Sequence, residues 1–149
     1  MHNVAANPGS VWLIAGGWLS VVAALAHVAC IFGGPGWYRF FGAGESMARA
    51  AARGDWAPTL ITLFIASVLL IWAAYAFSGA GWLPRLPLLR TGLIAIAAIF
   101  LLRALLFVPL NLWTRQYSDG FAIWSSLIVL VYGAVYAIGT FKAWRHLAP

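Results

Sequence analysis

Four long apolar stretches, separated by short polar connections, dominate the pattern of the chain. They cover residues 11–32, 56–78, 91–112 and 121–141. An α-helix rises about 1.5 Å per residue and the hydrocarbon core of a bilayer is about 30 Å thick, so each stretch is long enough to cross a membrane once. The pattern predicts an all-α integral membrane four-helix bundle, and 149 residues leave no room for a second domain.

The longest connection, residues 33–55, follows the first span and has two parts. The run Gly33-Gly34-Pro35-Gly36 predicts that the first helix stops there, because proline and glycine both interrupt helices. Trp37, Tyr38, Phe40 and Phe41 surround Arg39, a composition typical of the headgroup boundary of a membrane.

The second part of this connection, residues 45–53, is rich in alanine and predicts a short interfacial helix. Glu45, Arg49 and Arg53 follow one another at i, i+4 spacing, which places them on one face. The order of acid before base favours ion pairs between them. A solvated, ion-paired face is one interpretation of this helix, and a contribution to a binding site is the other.

The nine Lys and Arg residues outnumber the three acidic residues, which gives a net charge of +6. On a membrane protein such an excess indicates contact with anionic lipids, so membrane lipids are expected partners and nucleic acid is not.

With four spans, the side of the termini has Arg85, Arg90, Lys142 and Arg145, and the opposite side has Arg39, Arg49, Arg53 and Arg115. The basic counts are equal. Because all three acids lie opposite the termini and two bases follow the last span, we favour a bacterial inner membrane location with both termini cytoplasmic.

The sequence lacks the residues that several kinds of active or metal site require. The single cysteine, Cys30, cannot form a disulfide or a CxxC pair within the chain. His27 is the one histidine within the spans, so the chain cannot supply the two histidine ligands of a transmembrane b-type haem. HExxH and GxSxG motifs are absent, and no span contains the acid that a cation-coupled antiporter needs. We therefore expect no metal and no cofactor, assign no catalytic residue, and leave open whether the protein is an enzyme.

Arg103 and His27 are the ionisable residues that lie within the spans. An arginine at the centre of a membrane helix costs roughly 2.5 to 3.5 kcal/mol, so it usually faces protein, a partner or water. Counted along their helices, both residues approach the membrane face opposite the termini. Snorkelling or a contact with backbone carbonyls is the alternative for Arg103, and a packing role is the alternative for His27.

Further polar residues reach the same face and complete a predicted polar mouth over an apolar interior. They are Glu45, Arg49, Thr59, Thr62, Trp124 and Ser125. Such a mouth suits a small amphipathic or lipid-like ligand with an anionic or hydroxylated head, and its binding is our first functional hypothesis. The second is an accessory or assembly subunit of a membrane complex, with partner contacts at Gly16-Gly17 and Gly133.

The other half of the bundle is expected to be structural. Tyr132, Gly133 and Tyr136 predict a helix-packing face on the fourth span. Trp82, Trp144 and Lys142 are predicted to be anchors at the membrane boundary.

The segment Arg49-Ala50-Ala51-Ala52-Arg53-Gly54-Asp55 stands before the second span, and Arg103 stands in the third. With its four spans, basic charge and long first connection, the chain resembles the microsomal glutathione transferase family (membrane-associated eicosanoid and glutathione metabolism proteins). Arg49 and Asp55 match the family's motif, Arg53 replaces its asparagine, and the tyrosine expected beside Arg103 is missing. The resemblance implies a glutathione-dependent membrane enzyme that forms a homotrimer, with Arg49 and Arg103 near a subunit boundary.

Overall fold

The computed structural model describes residues 7–148, which contain helices and no strand. The helices are α1 (Ser10–Phe40), α2 (Glu45–Ala52), α3 (Ala57–Gly79), α4 (Leu89–Thr114) and α5 (Asp119–Lys142). Four of them, α1, α3, α4 and α5, are long and apolar enough to cross a membrane. The predicted all-α four-helix membrane bundle, with a short helix between the first two spans, is confirmed.

The first helix bends where the sequence predicted that it would stop. Gly34 has φ +67° and ψ −156°, which only glycine adopts readily, and the chain then continues as helix to Phe40. Pro35 fits the first turn of this new segment because its missing N–H would have no helical partner there. The bend brings Tyr38 into a small buried cluster with Cys30 and Ala48, which attaches α2 to the bundle.

The spans are arranged as two closely packed pairs, α1 with α3 and α4 with α5. Glycines allow this close approach: a Cβ at Gly17 would lie 2.5 Å from the Phe77 ring, and one at Gly133 would lie 2.8 Å from Leu101. The predicted packing face on the fourth span is therefore present. Gly17 and Gly133 contact side chains of their own chain, so they do not supply the partner surfaces that the subunit hypothesis assigned to them.

One buried hydroxyl links three of the four spans. Tyr136 of α5 donates to the carbonyl oxygen of Trp72 on α3 at 3.1 Å. Its hydroxyl also lies 2.8 Å from Ser20 Oγ on α1, and because its own proton goes to Trp72, Ser20 must be the donor. Nearby, Tyr132 donates to the carbonyl oxygen of Leu19 at 2.9 Å. These bonds join the two helix pairs.

The two ends of the bundle differ in charge. We call the end formed by residues 7–9, 80–90 and 142–148 the termini face, and the end formed by residues 37–56 and 113–120 the loop face. All three acidic side chains lie on the loop face, in the pairs Arg39–Glu45 (2.8 Å), Arg53–Asp55 (2.7 Å) and Arg115–Asp119 (3.4 Å). Glu45 thus pairs with Arg39 rather than with Arg49 as predicted, because the bend at Gly34 returns Arg39 to the start of α2.

Candidate functional site

Arg103 is a half-buried cation on the apolar helix α4. Its Nη2 donates to Ser125 Oγ on α5 at 2.9 Å, and its Cζ stands 3.7 Å from the centre of the Phe107 ring. Its Nη1 is buried and makes no hydrogen bond to any residue between 7 and 148. Since a guanidinium carries five N–H donors, this group keeps binding capacity that the described chain does not use.

No acidic side chain is available to neutralise Arg103. The chain has three acidic side chains, and each is paired with a different arginine on the loop face. Contact with an aromatic face offsets about 0.5 to 2 kcal/mol of the cost of a cation, and a hydrogen bond to a charged group contributes about 1.5 to 3 kcal/mol. Phe107 and Ser125 therefore stabilise the charge without cancelling it, and an anion placed beside Nη1 would do so.

Three aromatic rings lie between Arg103 and the loop face. Ring centres are 5.5 Å apart for Phe107 and Tyr117, 5.7 Å for Tyr117 and Phe121, and 6.4 Å for Phe107 and Phe121. The backbone at Gly42 rests on this aromatic seat, since a Cβ there would lie 1.8 Å from the Phe121 ring. The loop after α1 thus covers the seat. Neither Phe107 nor Phe121 was predicted to be a site residue, although Phe107 follows Arg103 by one helical turn.

Asn111 fixes the position of Tyr117 in this seat. Its side chain is 2% exposed and makes two bonds to one residue, donating to Tyr117 O at 3.1 Å and accepting from Tyr117 N at 2.9 Å. Arg115 adopts a left-handed conformation (φ 51°) and donates its N–H to Asn111 O at 2.7 Å, which ends α4. The short turn between α4 and α5 is therefore held by one buried amide.

His27 is half-buried on α1 and bonds within its own helix. Its Nδ1 lies 2.7 Å from the carbonyl oxygen of Ala23, and because a carbonyl only accepts, Nδ1 carries the proton. His27 and Arg103 share no hydrogen-bond partner within residues 7–148, and α1 and α4 stand at opposite corners of the bundle. The same residues contain no cluster of three His, Cys, Asp or Glu side chains that could hold a metal ion.

The predicted threonines and tryptophan lie apart from Arg103. Thr62 is buried and donates to the Pro58 carbonyl oxygen at 2.7 Å, and its Oγ1 lies 3.4 Å from the Tyr38 hydroxyl oxygen. Thr59 is half-buried in the first turn of α3, and Trp124 is 69% exposed on α5. Of the predicted site residues, the structure brings Ser125 into contact with Arg103 and joins none of these three to it by a hydrogen bond.

The two predicted charged residues of α2 lie on its exposed side. Arg39 makes two hydrogen bonds to the Glu45 carboxylate, at 2.8 and 3.0 Å, while Arg49 is exposed and forms no ion pair within residues 7–148. The hydrogen bonds from Arg39 lower the pKa of Glu45, partial desolvation opposes them, and attraction to Arg39 and Arg49 adds to the lowering. Glu45 therefore stays ionised and paired with Arg39.

Among the contacts between the two helix pairs, two levels bracket Arg103. One level is the Tyr136 network together with the Trp72 and Phe100 rings, whose centres are 4.9 Å apart. The other is the loop at Gly42, which rests on the aromatic seat. Between the bond from Tyr132 to Leu19 and the aromatic seat, no hydrogen bond or aromatic contact joins the pairs in the described part of the chain. Arg103 and Ser125 lie in this interval.

The structure also opens two surface grooves, one on the termini face and one beside Trp37, Phe40 and Phe41. Neither is lined by His27 or Arg103.

Comparisons of the chain with protein-family models, with curated proteins and with solved structures find no match. The resemblance to the microsomal glutathione transferases therefore stays a prediction from the sequence. Function has to be inferred from the geometry of Arg103 and its surroundings.

Proposed function

We propose that this multi-pass membrane protein binds an amphipathic, lipid-like molecule whose anionic head contacts Arg103. The observation that supports this most directly is the buried Nη1 of Arg103, which has no partner within residues 7–148 while all three acids of the chain are paired elsewhere. The planar guanidinium presents two donors side by side, which matches a carboxylate or a phosphate.

Neighbouring groups offer the head further contacts. Ser125 already bonds Arg103, and Ser126, which is 7% exposed, has a buried hydroxyl without a partner in the described residues. The apolar part of the ligand lies between the helix pairs, below the aromatic seat formed by Phe107, Tyr117 and Phe121. A molecule of this class dissolves in the bilayer and reaches the site from the side.

We also propose that the membrane is a bacterial inner membrane and that both termini are cytoplasmic. The termini face has four Lys and Arg residues and no acid, whereas the loop face has four arginines and three acids. The counts of basic residues alone are equal, so the support comes from the position of the acids and from the two bases that directly follow α5.

The test is purification in polymer-bounded native membrane discs without detergent, followed by lipid extraction and mass spectrometry. Wild type is compared with Arg103→Gln and with Arg115→Gln, which removes the same charge from an exposed position on the loop face. We expect wild type and Arg115→Gln to retain a common anionic amphiphile and Arg103→Gln to lose it. Arg103→Lys keeps the charge without the planar fork, so it should retain an intermediate amount.

Other outcomes separate the alternatives. If Arg103→Gln folds and retains the same molecules in the same amounts as wild type, the proposed site is wrong. Stoichiometric co-purification of another protein would favour the accessory-subunit hypothesis, and selective stabilisation by glutathione would favour the transferase-like enzyme that the sequence resemblance implies.

A further inference from the structure

The C-terminal segment, residues 143–148, is fixed across the termini face. Leu147 is 1% exposed and belongs to the main apolar core. Arg85 donates to the carbonyl oxygen of Leu147, and Arg90 donates to that of Trp144 at 2.9 Å. The guanidinium of Arg90 also stands 4.1 Å from the centre of the Trp144 ring. These contacts therefore hold residues 143–148 in a defined position on the termini face.

This surface is strongly positive because its cations have no acidic partner among residues 7–148. Arg85 and Arg90 bond to neutral carbonyl oxygens, and Lys142 and Arg145 form no ion pair with any described residue. Four bases without an acid give the side chains of the termini face a net charge of +4, whereas four arginines against three carboxylates leave +1 on the loop face. Most of the net charge of the protein is thus at one end.

An open groove of about 530 Å³ runs along this end. It is lined by Pro8, Phe141, Lys142, Trp144, Arg145 and His146. Phe141 is 81% exposed and Trp144 is 43% exposed, so the groove has an apolar wall beside its basic rim. Phe141 belongs to the last turn of α5, where the span leaves the hydrocarbon layer.

We infer that this groove binds an anionic phospholipid of the adjacent leaflet. The phosphate and any further anionic group of its head lie against Lys142 and Arg145, and the upper part of an acyl chain lies along Phe141 and Trp144. A free phosphate shares the charge but has no use for the apolar wall, and a zwitterionic lipid has the chain but lacks the net charge. This groove lies at the end of the bundle opposite to the proposed Arg103 site, and lipid binding in the groove does not depend on that site.

The test uses the full chain reconstituted in an equimolar mixture of phosphatidylglycerol and phosphatidylcholine, with retained lipids counted by native mass spectrometry. A base near an anionic membrane surface contributes about 1 kcal/mol, or about fivefold in affinity, so removing two should lower the preference for phosphatidylglycerol about 30-fold. The test variant is Lys142→Gln/Arg145→Gln. The control is Arg53→Gln/Arg115→Gln, which removes the same charge from exposed positions on the loop face.

We expect the preference for phosphatidylglycerol to persist in wild type and in the control, and to fall in the test variant alone. Both test positions are exposed, so its melting temperature in neutral detergent should match wild type. Equal retention of the two lipids by wild type, or equal losses in the test and control variants, would overturn the inference. Stabilisation of wild type by inorganic phosphate as strong as that by phosphatidylglycerol would show a phosphate site instead.

Discussion

Replacing Tyr136 with phenylalanine removes one hydroxyl that joins three spans. Tyr136 is 0% exposed, and its hydroxyl accepts from Ser20 Oγ at 2.8 Å and donates to the Trp72 carbonyl oxygen at 3.1 Å. Its ring packs against Phe100 with centres 5.6 Å apart, a contact that phenylalanine keeps. The substitution therefore isolates the hydrogen bonds from the packing.

The expected loss follows from the number of bonds. Hydrogen bonds between membrane helices contribute about 0.6 kcal/mol on average and at most about 1.7 kcal/mol. Tyr136→Phe removes two of them, so the free energy of unfolding should fall by about 1 to 2 kcal/mol. Ser20→Ala removes one bond and should cost about 0.6 kcal/mol. The freed hydroxyl of Ser20 can bond the carbonyl of the preceding turn, so it adds little to the loss in Tyr136→Phe.

The assay is reversible unfolding in mixed micelles with increasing denaturing detergent, followed by circular dichroism. The Ser20→Ala/Tyr136→Phe variant should be about as stable as Tyr136→Phe alone, because the bond between the two hydroxyls is already lost. If the double variant instead loses the sum of the two single losses, the hydroxyls do not interact and the link is wrong. Tyr75→Phe is the control: Tyr75 bonds the Pro87 carbonyl, away from Ser20, and its loss should add to that of Ser20→Ala.

Two further predictions concern the loop face. Asn111→Ala removes both bonds to Tyr117 at a position that is 2% exposed, so the free energy of unfolding should fall by about 1 to 3 kcal/mol. A protease should also cleave the turn after α4 faster in this variant. Unchanged cleavage would contradict the role of Asn111. The folded state lowers the pKa of Glu45 below its ordinary 4.5, so its bond with Arg39 stabilises above that pH and is lost as the pH falls through the lowered value. Protection of the α2 amides from hydrogen exchange, measured relative to the intrinsic exchange rate at each pH, should fall on acidification in wild type and not in Glu45→Gln; the same fall in both would refute the link.

The spans were predictable because they depend on a property summed over many residues. Twenty apolar residues between polar connections define a crossing whatever their detailed packing. The end of α1 was less predictable because Gly34 and Pro35 permit either a stop or a bend. The choice depends on the cluster of Tyr38, Cys30 and Ala48, which forms only when distant parts of the chain meet.

The candidate site was predictable only in part. Arg103 stands out because a charge within a span needs an explanation, and Ser125 was expected on the same membrane face. The pairing of Glu45 with Arg39 was missed because local i, i+4 spacing gives no information on a partner beyond a bend. The fixation of Tyr117 by Asn111 was missed as well, since a single amide at a helix end has no sequence signature.

The unequal distribution of acids along the membrane normal also determines how the molecule responds to ionic strength. On the loop face, contacts of 2.7 to 3.4 Å join opposite charges far inside the screening distance of about 8 Å at physiological ionic strength. On the termini face, the uncompensated bases project a field that mobile anions weaken as their concentration rises. Added salt therefore acts mainly at one end of the protein, the termini face.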